Sequence, residues 1–547
     1  MATTTYDWIT TLASYTLDQA PTEGDQLAPA IGALAKGGYF GAWDQPFGSA
    51  VEGRLAPPDA PASSSEFIVN STTTASQFDA SVAGLLNGRS VVSFTDTSDD
   101  SGGDVRARVF RKNGAPVDLD FGVAESSIIA DYDSDIAALA SGGYAIAWTR
   151  DFGEDTDLRV TVYRANGSVR ASTVPVENAN LASDASVAGL ADGSFVVAFQ
   201  QTPTEGGPSS VWFKRFAANG GPLDAVSVQI DGIGTINEDI QVAALKDGGF
   251  AVAYTDNGWI GEGGAGTDIT LKIFNADGSG RSSYILVNET VAGDQSKPTL
   301  TVLSNGYVVV GWNDGVTLNY QAFDPDGNTI GANDFTANQV IEGEIAGLSG
   351  GLVANVRAAT AVVAGDASGT SIRTSVDELM RTITGDATNE TLQGDNLRDT
   401  IFGEGGKDKL FGFNGKDTLN GGDGADVLRG GNDRDNLTGG AGADRFAYTD
   451  VLQSRPLGAL RDTIRDFENG VDTIDVEAID ADTGTVGDQA FVFIGGGALT
   501  GAAQVRAFQS GADVVLQFST DADAAAEMEI LLKNFAVGDT DAADFVL

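Results

Sequence analysis

The chain contains no cysteine and no histidine among its 547 residues. The first absence removes disulfides and thiol nucleophiles. The second removes zinc fingers, the histidine-based metalloprotease helix and every histidine-based catalytic triad. Any chemistry must come from carboxylates, Tyr, Lys, Arg or Ser. Basic residues are scarce as well: 32 Lys and Arg stand against 77 Asp and Glu, a net charge of −45. Such a chain repels nucleic acid and anionic membrane surfaces and suits cation binding. No apolar run approaches the ~20 residues that span a bilayer, which predicts a soluble protein without membrane insertion. The first residues lack a basic n-region and an apolar core, so no Sec-type signal is expected there.

What is abundant is glycine, 71 residues, with 42% hydrophobic residues beside it. That is enough apolar material for folded cores, and the glycine excess asks for many tight turns or a glycine-patterned repeat. At about 150 residues per domain the length predicts three or four domains, or one large repeat domain.

Up to about residue 365 the chain repeats itself. AIGALAKGGYFGAW ends at Trp43, SVAGLLNGRSVVSF at Phe94, and IAALASGGYAIAW at Trp148. SVAGLADGSFVVAF ends at Phe199, QVAALKDGGFAVAY at Tyr254, and TLTVLSNGYVVVGW at Trp312. A weaker copy, EIAGLSGGLVANV, occupies 344–356. Each copy turns at Gly-Gly, Asn-Gly or Asp-Gly, the signature of a hairpin. Five copies carry a second hairpin, marked by an aromatic followed by Asn-Gly or Asp-Gly, as at Phe110 with Asn113 and Gly114. Four strands in about 50 residues make a propeller blade. Seven copies predict seven blades, with strands from both chain ends completing one of them. A β-solenoid would need a shorter period. The repeats resemble the ~50-residue units attached to many secreted bacterial calcium-binding proteins.

From residue 384 the period becomes nine. Seven frames in register each open with Gly, carry an acid, and place an apolar residue two positions after it. The acids are Glu390, Asp399, Asp408, Asp417, Asp426, Asp435 and Asp444, and the apolar residues run from Leu392 to Phe446. Nine residues make a turn and a short strand, so successive frames fall on alternate sides of a flattened coil with the apolar residue inside. The acids then stack as Glu390, Asp408, Asp426 and Asp444 on one side and Asp399, Asp417 and Asp435 on the other. Glycines at 406, 415, 422, 424, 431, 440 and 442 permit positive φ and let carbonyls face a cation. Stacked hard oxygens point to Ca²⁺, with up to five ions in the gaps. The turn glycines are replaced at Thr388, Leu397, Phe413 and Asp433. Without the ion, these carboxylates repel and the segment is expected to be unfolded. An affinity of about 10⁻⁴–10⁻³ M would keep it open inside a cell and closed outside.

This stretch resembles the RTX β-roll, the GGxGxD repeat of type I secreted proteins. Residues 447–547, with strands around Asp462-Thr463-Ile464 and Asp472-Thr473-Ile474-Asp475, resemble the domain that follows the roll in serralysin-type proteases. The final Asp544-Phe545-Val546-Leu547 resembles the C-terminal signal read by one-step ABC exporters. The resemblance implies a secreted, extracellular or cell-surface protein. The proteolytic activity of serralysins is not implied, because their zinc ligands are histidines.

The expected architecture is therefore all-β: a seven-bladed propeller over 1–370, a parallel calcium-binding roll over 371–446, and a C-terminal β domain with the secretion signal over 447–547. The expected partners are calcium, a type I ABC exporter, and a surface polysaccharide or protein ligand. The expected role is a non-catalytic binding or adhesion module. Two alternatives stand beside it, a glycoside hydrolase or polysaccharide lyase on the propeller, and a calcium-dependent surface-lattice subunit. Three propeller features bear on this choice. Asp79, Asp133, Asp184 and Asp239 share one blade position, fit either for a ring of acids or for tying each loop to its own backbone. Asp/Gly-rich loops at 95–104, 150–157 and 256–268 could hold an ion or present Trp259 to a sugar. Asp324, Asp326 and Asn328 have cation-loop spacing but occupy a turn position of the sister blades.

Overall fold

The computed structural model describes residues 2–16, 27–35, 38–45, 50–56, 66–98, 103–123, 129–153, 155–177, 181–202, 208–230, 237–257, 266–288, 293–315, 317–331, 337–338, 340–347, 352–360, 370–456, 458 and 460–547. Apart from short 3₁₀ turns, the elements among these are strands. No helix among the described residues is long and apolar enough to cross a membrane. Two compact units result, one of residues 9–378, the other of 379–547 with residues 1–8.

The first unit holds six four-stranded antiparallel sheets, each a meander of consecutive strands. In the second blade these are Gln77–Gly84, Ser90–Asp96, Asp104–Phe110 and Phe121–Gly122. The sixth blade carries an extra two-residue strand, Ala337–Asn338. Gly-centred turns close both hairpins where the repeats predict them. Gly88 N–H donates to Leu85 O and Gly114 N–H to Arg111 O, with φ of 79° and 80°.

Second strands such as Phe250–Asp256 are buried along their whole length, because both faces of the blade are covered. The cores lie between blades. Trp148 and Tyr144 pack with Leu85, Val91 and Val105 of the blade before, and Phe199 and Phe195 with Leu158 and Val160. Innermost strands run so close that a Cβ on Gly84 would stand 1.9 Å from Ala33 O of the neighbouring blade. Small residues on these strands are thus a packing requirement.

Seven four-stranded blades are not found among the described residues. The seventh sequence copy gives the antiparallel pair Val340–Gly347 and Leu352–Thr360, followed by Thr370–Thr384, within a larger sheet. That copy's second strand pairs antiparallel with the start of the long strand Thr370–Thr384, so the copy does not close as a separate four-stranded meander. Its first strand nevertheless lies beside Leu27–Ala33 and Ser296–Val302, the innermost strands of the first and sixth blades. The loop residue Trp259 lies outside the described residues.

In the second unit the nonapeptide frames form two parallel sheets, alternate frames going to opposite sheets. Leu410 is in register with Leu428, and Leu419 with Leu437. The inward ladders continue past the repeats. Phe446 pairs with Ile474 and Ile474 with Phe545, while Leu437 pairs with Ile464 and Ile464 with Leu532. One apolar cluster therefore runs from Ile383 to Phe545, with Leu410, Leu419 and Leu428 completely buried.

Truncating such a rung leaves a cavity between two thin sheets. Leu428→Ala is expected to lower the stability of the second unit by about 2–5 kcal/mol in denaturant unfolding. An effect below about 1 kcal/mol would show that the coil collapses around the missing side chain.

Candidate metal centre and channel acids

The frame acids stand immediately before the coil strands. Each hands its backbone N–H to the carboxylate of the acid two frames on. Glu390 N–H donates to Asp408 Oδ1, Asp399 to Asp417, Asp408 to Asp426 and Asp417 to Asp435, all at 2.8 Å, and Asp426 to Asp444 at 2.9 Å. This brings all seven predicted acids into the two predicted stacks.

The stacks extend beyond the repeats. Asp435 N–H donates to Asp462 Oδ1 at 2.8 Å, and Asp444 N–H to Asp472 Oδ1 at 2.9 Å. Nine-residue spacing misses these two, because insertions break the period after Phe446. The signal that finds them is the triplet Asp-Thr-Ile, at 462–464 and 472–474, which repeats the Asp-Thr-Ile of 399–401.

The second oxygen of each acid is the informative one. On Asp408, Asp417, Asp426, Asp435 and Asp444, Oδ2 is buried and has no hydrogen-bond partner, while Asp462 stands beside the buried Tyr448 hydroxyl. Leaving such an acceptor bare costs on the order of 1–3 kcal/mol, more when it is charged. At the ends of the stacks the protein fills the place itself. Glu390 Oε2 accepts Asp386 N–H at 2.7 Å, and Asp472 Oδ2 accepts Glu468 N–H at 2.8 Å. Asp399 is held by Arg381, whose Nε meets Oδ1 at 2.7 Å and Nη2 meets Oδ2 at 3.1 Å, with Asp395 N–H on Oδ2 as well.

Carbonyl oxygens complete the cradle. A Cβ on Gly403 would stand 2.7 Å from Asp408 Oδ2 and 2.4 Å from Gly421 O, so both oxygens crowd one point. At the turns, Gly406, Gly415, Gly422, Gly424, Gly431, Gly440 and Gly442 all have positive φ, between 94° and 151°. Gly424 shows why a side chain is refused: its Cβ would fall 1.5 Å from Gly406 O. Phe413 and Asp433 take the same left-handed conformation in place of glycine, at φ of 78° and 76°.

Hard carboxylate and carbonyl oxygens with no nitrogen or sulfur donor suit Ca²⁺, so the residues present fit that ion. Electrostatics agree. Burial, and next the charge of Asp435, push Asp417 up to about 9. Burial also lifts Asp444 to about 6, with Asp472 adding to it. A second acid group that could hold a metal, Asp521, Asp523 and Glu527, lies on the turn after 519. It was not legible as a site, and its oxygens already accept Thr520, Asp523 and Ala525 N–H.

In the propeller, Asp79, Asp133, Asp184 and Asp239 share one conformation, with φ of 53–56°, and Ala28 and Lys297 take that place in the first and sixth blades. The register of the first hairpin shifts at this position in every blade, a left-handed bulge that Asp tolerates better than most residues. These residues line a cavity of about 400 Å³ ringed by the innermost strands. Three of these carboxylates reach the next blade, that of Asp239 while also accepting Thr255 Oγ1 of its own blade. Asp133 Oδ2 accepts Asp184 N–H at 3.2 Å, Asp184 Oδ2 accepts Ile240 N–H at 3.0 Å, and Asp239 Oδ2 accepts Lys297 N–H at 3.0 Å. Each clamps the next blade. Asp135, which sequence reasoning passed over, bridges three blades through Ser81 Oγ, Ser186 Oγ and Val187 N–H. Asp324, Asp326 and Asn328 form a turn in which Asp324 Oδ1 accepts the other two backbone N–H groups at 2.9 and 2.8 Å.

Residues 312–547 match a serralysin C-terminal domain, described in full as "Peptidase M10 serralysin C terminal". The serralysin-type segment takes in the end of the sixth blade, the nonapeptide coil and everything after it. No curated protein matches the chain. Among solved structures, similarity is found to a protein of unknown function from Dyadobacter fermentans, at 8% identity and a TM-score of 0.41, covering 68% of this chain and 99% of that one. The polysaccharide lyase Uly1 is similar at 9% identity and 0.43, over 65% and 90%. The AlgE6R3 subunit from the Azotobacter vinelandii mannuronan C5-epimerase is similar at 27% identity and 0.17, over 30% and 80%. At these TM-scores the likenesses carry no argument about chemistry.

The channel acids give a pH prediction. Burial, then the charge of Asp79, raises Asp133 to about 6, and burial, then the charge of Asp133, raises Asp184 to about 8. Between about pH 4 and these values the folded state holds protons that the unfolded chain has lost. Propeller stability is therefore expected to fall as pH rises from about 4 to 8. Asp184→Asn should flatten that slope in thermal unfolding. An unchanged slope would show that Asp184 is already ionised in the fold.

Proposed function

We propose that this chain is a secreted calcium-binding protein of the RTX kind. Its serralysin-type unit folds around Ca²⁺ after passage through a type I ABC exporter, and its propeller is a non-catalytic binding module at the cell surface or in the matrix. The observation that carries the proposal is the set of five buried carboxylate oxygens without partners, on Asp408, Asp417, Asp426, Asp435 and Asp444. An ion bound there supplies the positive charge and ligand bonds that the protein does not. At Asp399 the Arg381 guanidinium already supplies that charge, so the ion ladder on its side begins at Asp417.

Five free oxygens form the acceptor set. The match to a serralysin C-terminal domain supports a secreted protein. A polysaccharide or protein ligand for the propeller remains the proposed partner class. Against the enzyme alternative, the channel acids spend an oxygen each on backbone N–H groups of the next blade. We also propose that the 340–360 segment fills a seventh position in the ring. The support is its place between the first and sixth blades, and Ile345 lining the same cavity as the six bulges.

Calcium titration of the full chain from chelator, read by equilibrium dialysis, circular dichroism and sedimentation, tests this. The expected outcome is several ions bound, a gain of β-structure and a monomer throughout. Asp417→Asn and Asp426→Asn should each lower the number bound and move the folding midpoint to higher calcium. Arg381→Gln, which bares Asp399, should raise the calcium requirement. Absence of binding at millimolar Ca²⁺ sinks the proposal, and growth into ordered particles favours a lattice subunit.

A further inference from the structure

The second unit carries a cavity of about 260 Å³, lined by Phe411, Phe413, Asn414, Arg429, Asn432 and Gln453 and by no stack acid. Three observations set it apart from an ordinary surface hollow. The first is Phe413. Its φ of 78° lies in the left-handed region, and the same frame position holds Gly422, Gly431 and Gly440 in the next three frames. An aromatic residue there costs stability that glycine would not, yet its side chain is 47% exposed, so core burial does not repay the cost. With Phe411, at a ring-centroid distance of 6.3 Å, it forms an aromatic wall.

The second observation is Arg429. Its guanidinium donates to Thr449 Oγ1 and, among the described residues, pairs with no carboxylate, in a chain with 77 acids. A half-buried guanidinium left in this way calls for an anionic partner, and its planar fork fits a carboxylate. The third is the amide rim. Asn432 Nδ2 donates to Asn414 Oδ1 at 2.6 Å and Asn414 in turn to Asn396, while Gln453 Oε1 accepts Thr449 N–H at 2.8 Å. These bonds fix the amides in place as a polar edge beside the aromatic wall.

We infer that this cavity binds a carboxylate-bearing sugar ring, a hexuronate unit. The apolar face of the ring lies on Phe413, the carboxylate meets Arg429, and the amides of Asn414, Asn432 and Gln453 take hydroxyl groups. The cavity suits one ring, so a polymer would present single units to it. This site is independent of the propeller and of the partners proposed for it.

The test uses the full chain in excess calcium, titrated by calorimetry with glucuronate and with glucose. Glucuronate is expected to bind, with glucose at least about tenfold weaker, the equivalent of 1.4 kcal/mol. Arg429→Gln should abolish the preference for glucuronate. Phe413→Gly should weaken glucuronate binding at least about tenfold while leaving the unfolding midpoint unchanged or raised, because glycine relieves the backbone. A Phe413 kept only for packing would lower that midpoint instead, and this result overturns the inference. So does the absence of saturable glucuronate binding, or equal affinity for glucose.

Discussion

Burying carboxylates directly above one another is the constraint on which the second unit depends. The coil places an acid at the same point of every turn, with one oxygen taking the N–H of the acid two frames earlier and the other enclosed without a partner. Buried like charges cannot all stay ionised alone: burial first, and then the charge of Asp435, pushes Asp417 up to about 9. The thin apolar ladder between the sheets has to hold this arrangement together unless an external charge arrives. Calcium, as proposed, converts the least favourable feature of the unit into its main fastening, and so makes folding conditional on the surroundings.

Arg381 shows the same constraint met by a charge of the chain's own. At the first rung of one stack the guanidinium lies against both oxygens of Asp399, so that rung is neutralised whatever the ion concentration. At the other stack's first rung Glu390 takes a backbone N–H instead. The first rung of each stack is therefore satisfied by the chain, and the interior rungs are left open.

The propeller uses acids in a different way. Its left-handed bulge residues reach across to the next blade's backbone, and Asp135 ties three blades through two serines and an amide. These bonds join sheets that otherwise meet through apolar side chains such as Trp148 and Phe199. The residues that looked most like a site in the propeller are thus part of its closure, and the raised pKa values of Asp133 and Asp184 record the burial this requires.

The sequence by itself determined the strands, the turn positions and the alternation of the nonapeptide frames, because period and turn chemistry are local properties. Glycine at 424 and leucine at 428 need no tertiary information to be assigned to a turn and to the inside of a coil. It also determined the membership of the two acid stacks, since a nine-residue period on two sides fixes which acids align. Only the tertiary structure decided where the stacks end. Asp462 and Asp472 join them across insertions of no fixed length, and Arg381 enters from before the first frame. It decided, too, that the last copy is no separate four-stranded meander, because its second strand pairs with the long strand Thr370–Thr384. And it decided that the Asp133 and Asp184 carboxylates face the next blade, a direction set by how sheets pack around an axis, which no single repeat encodes.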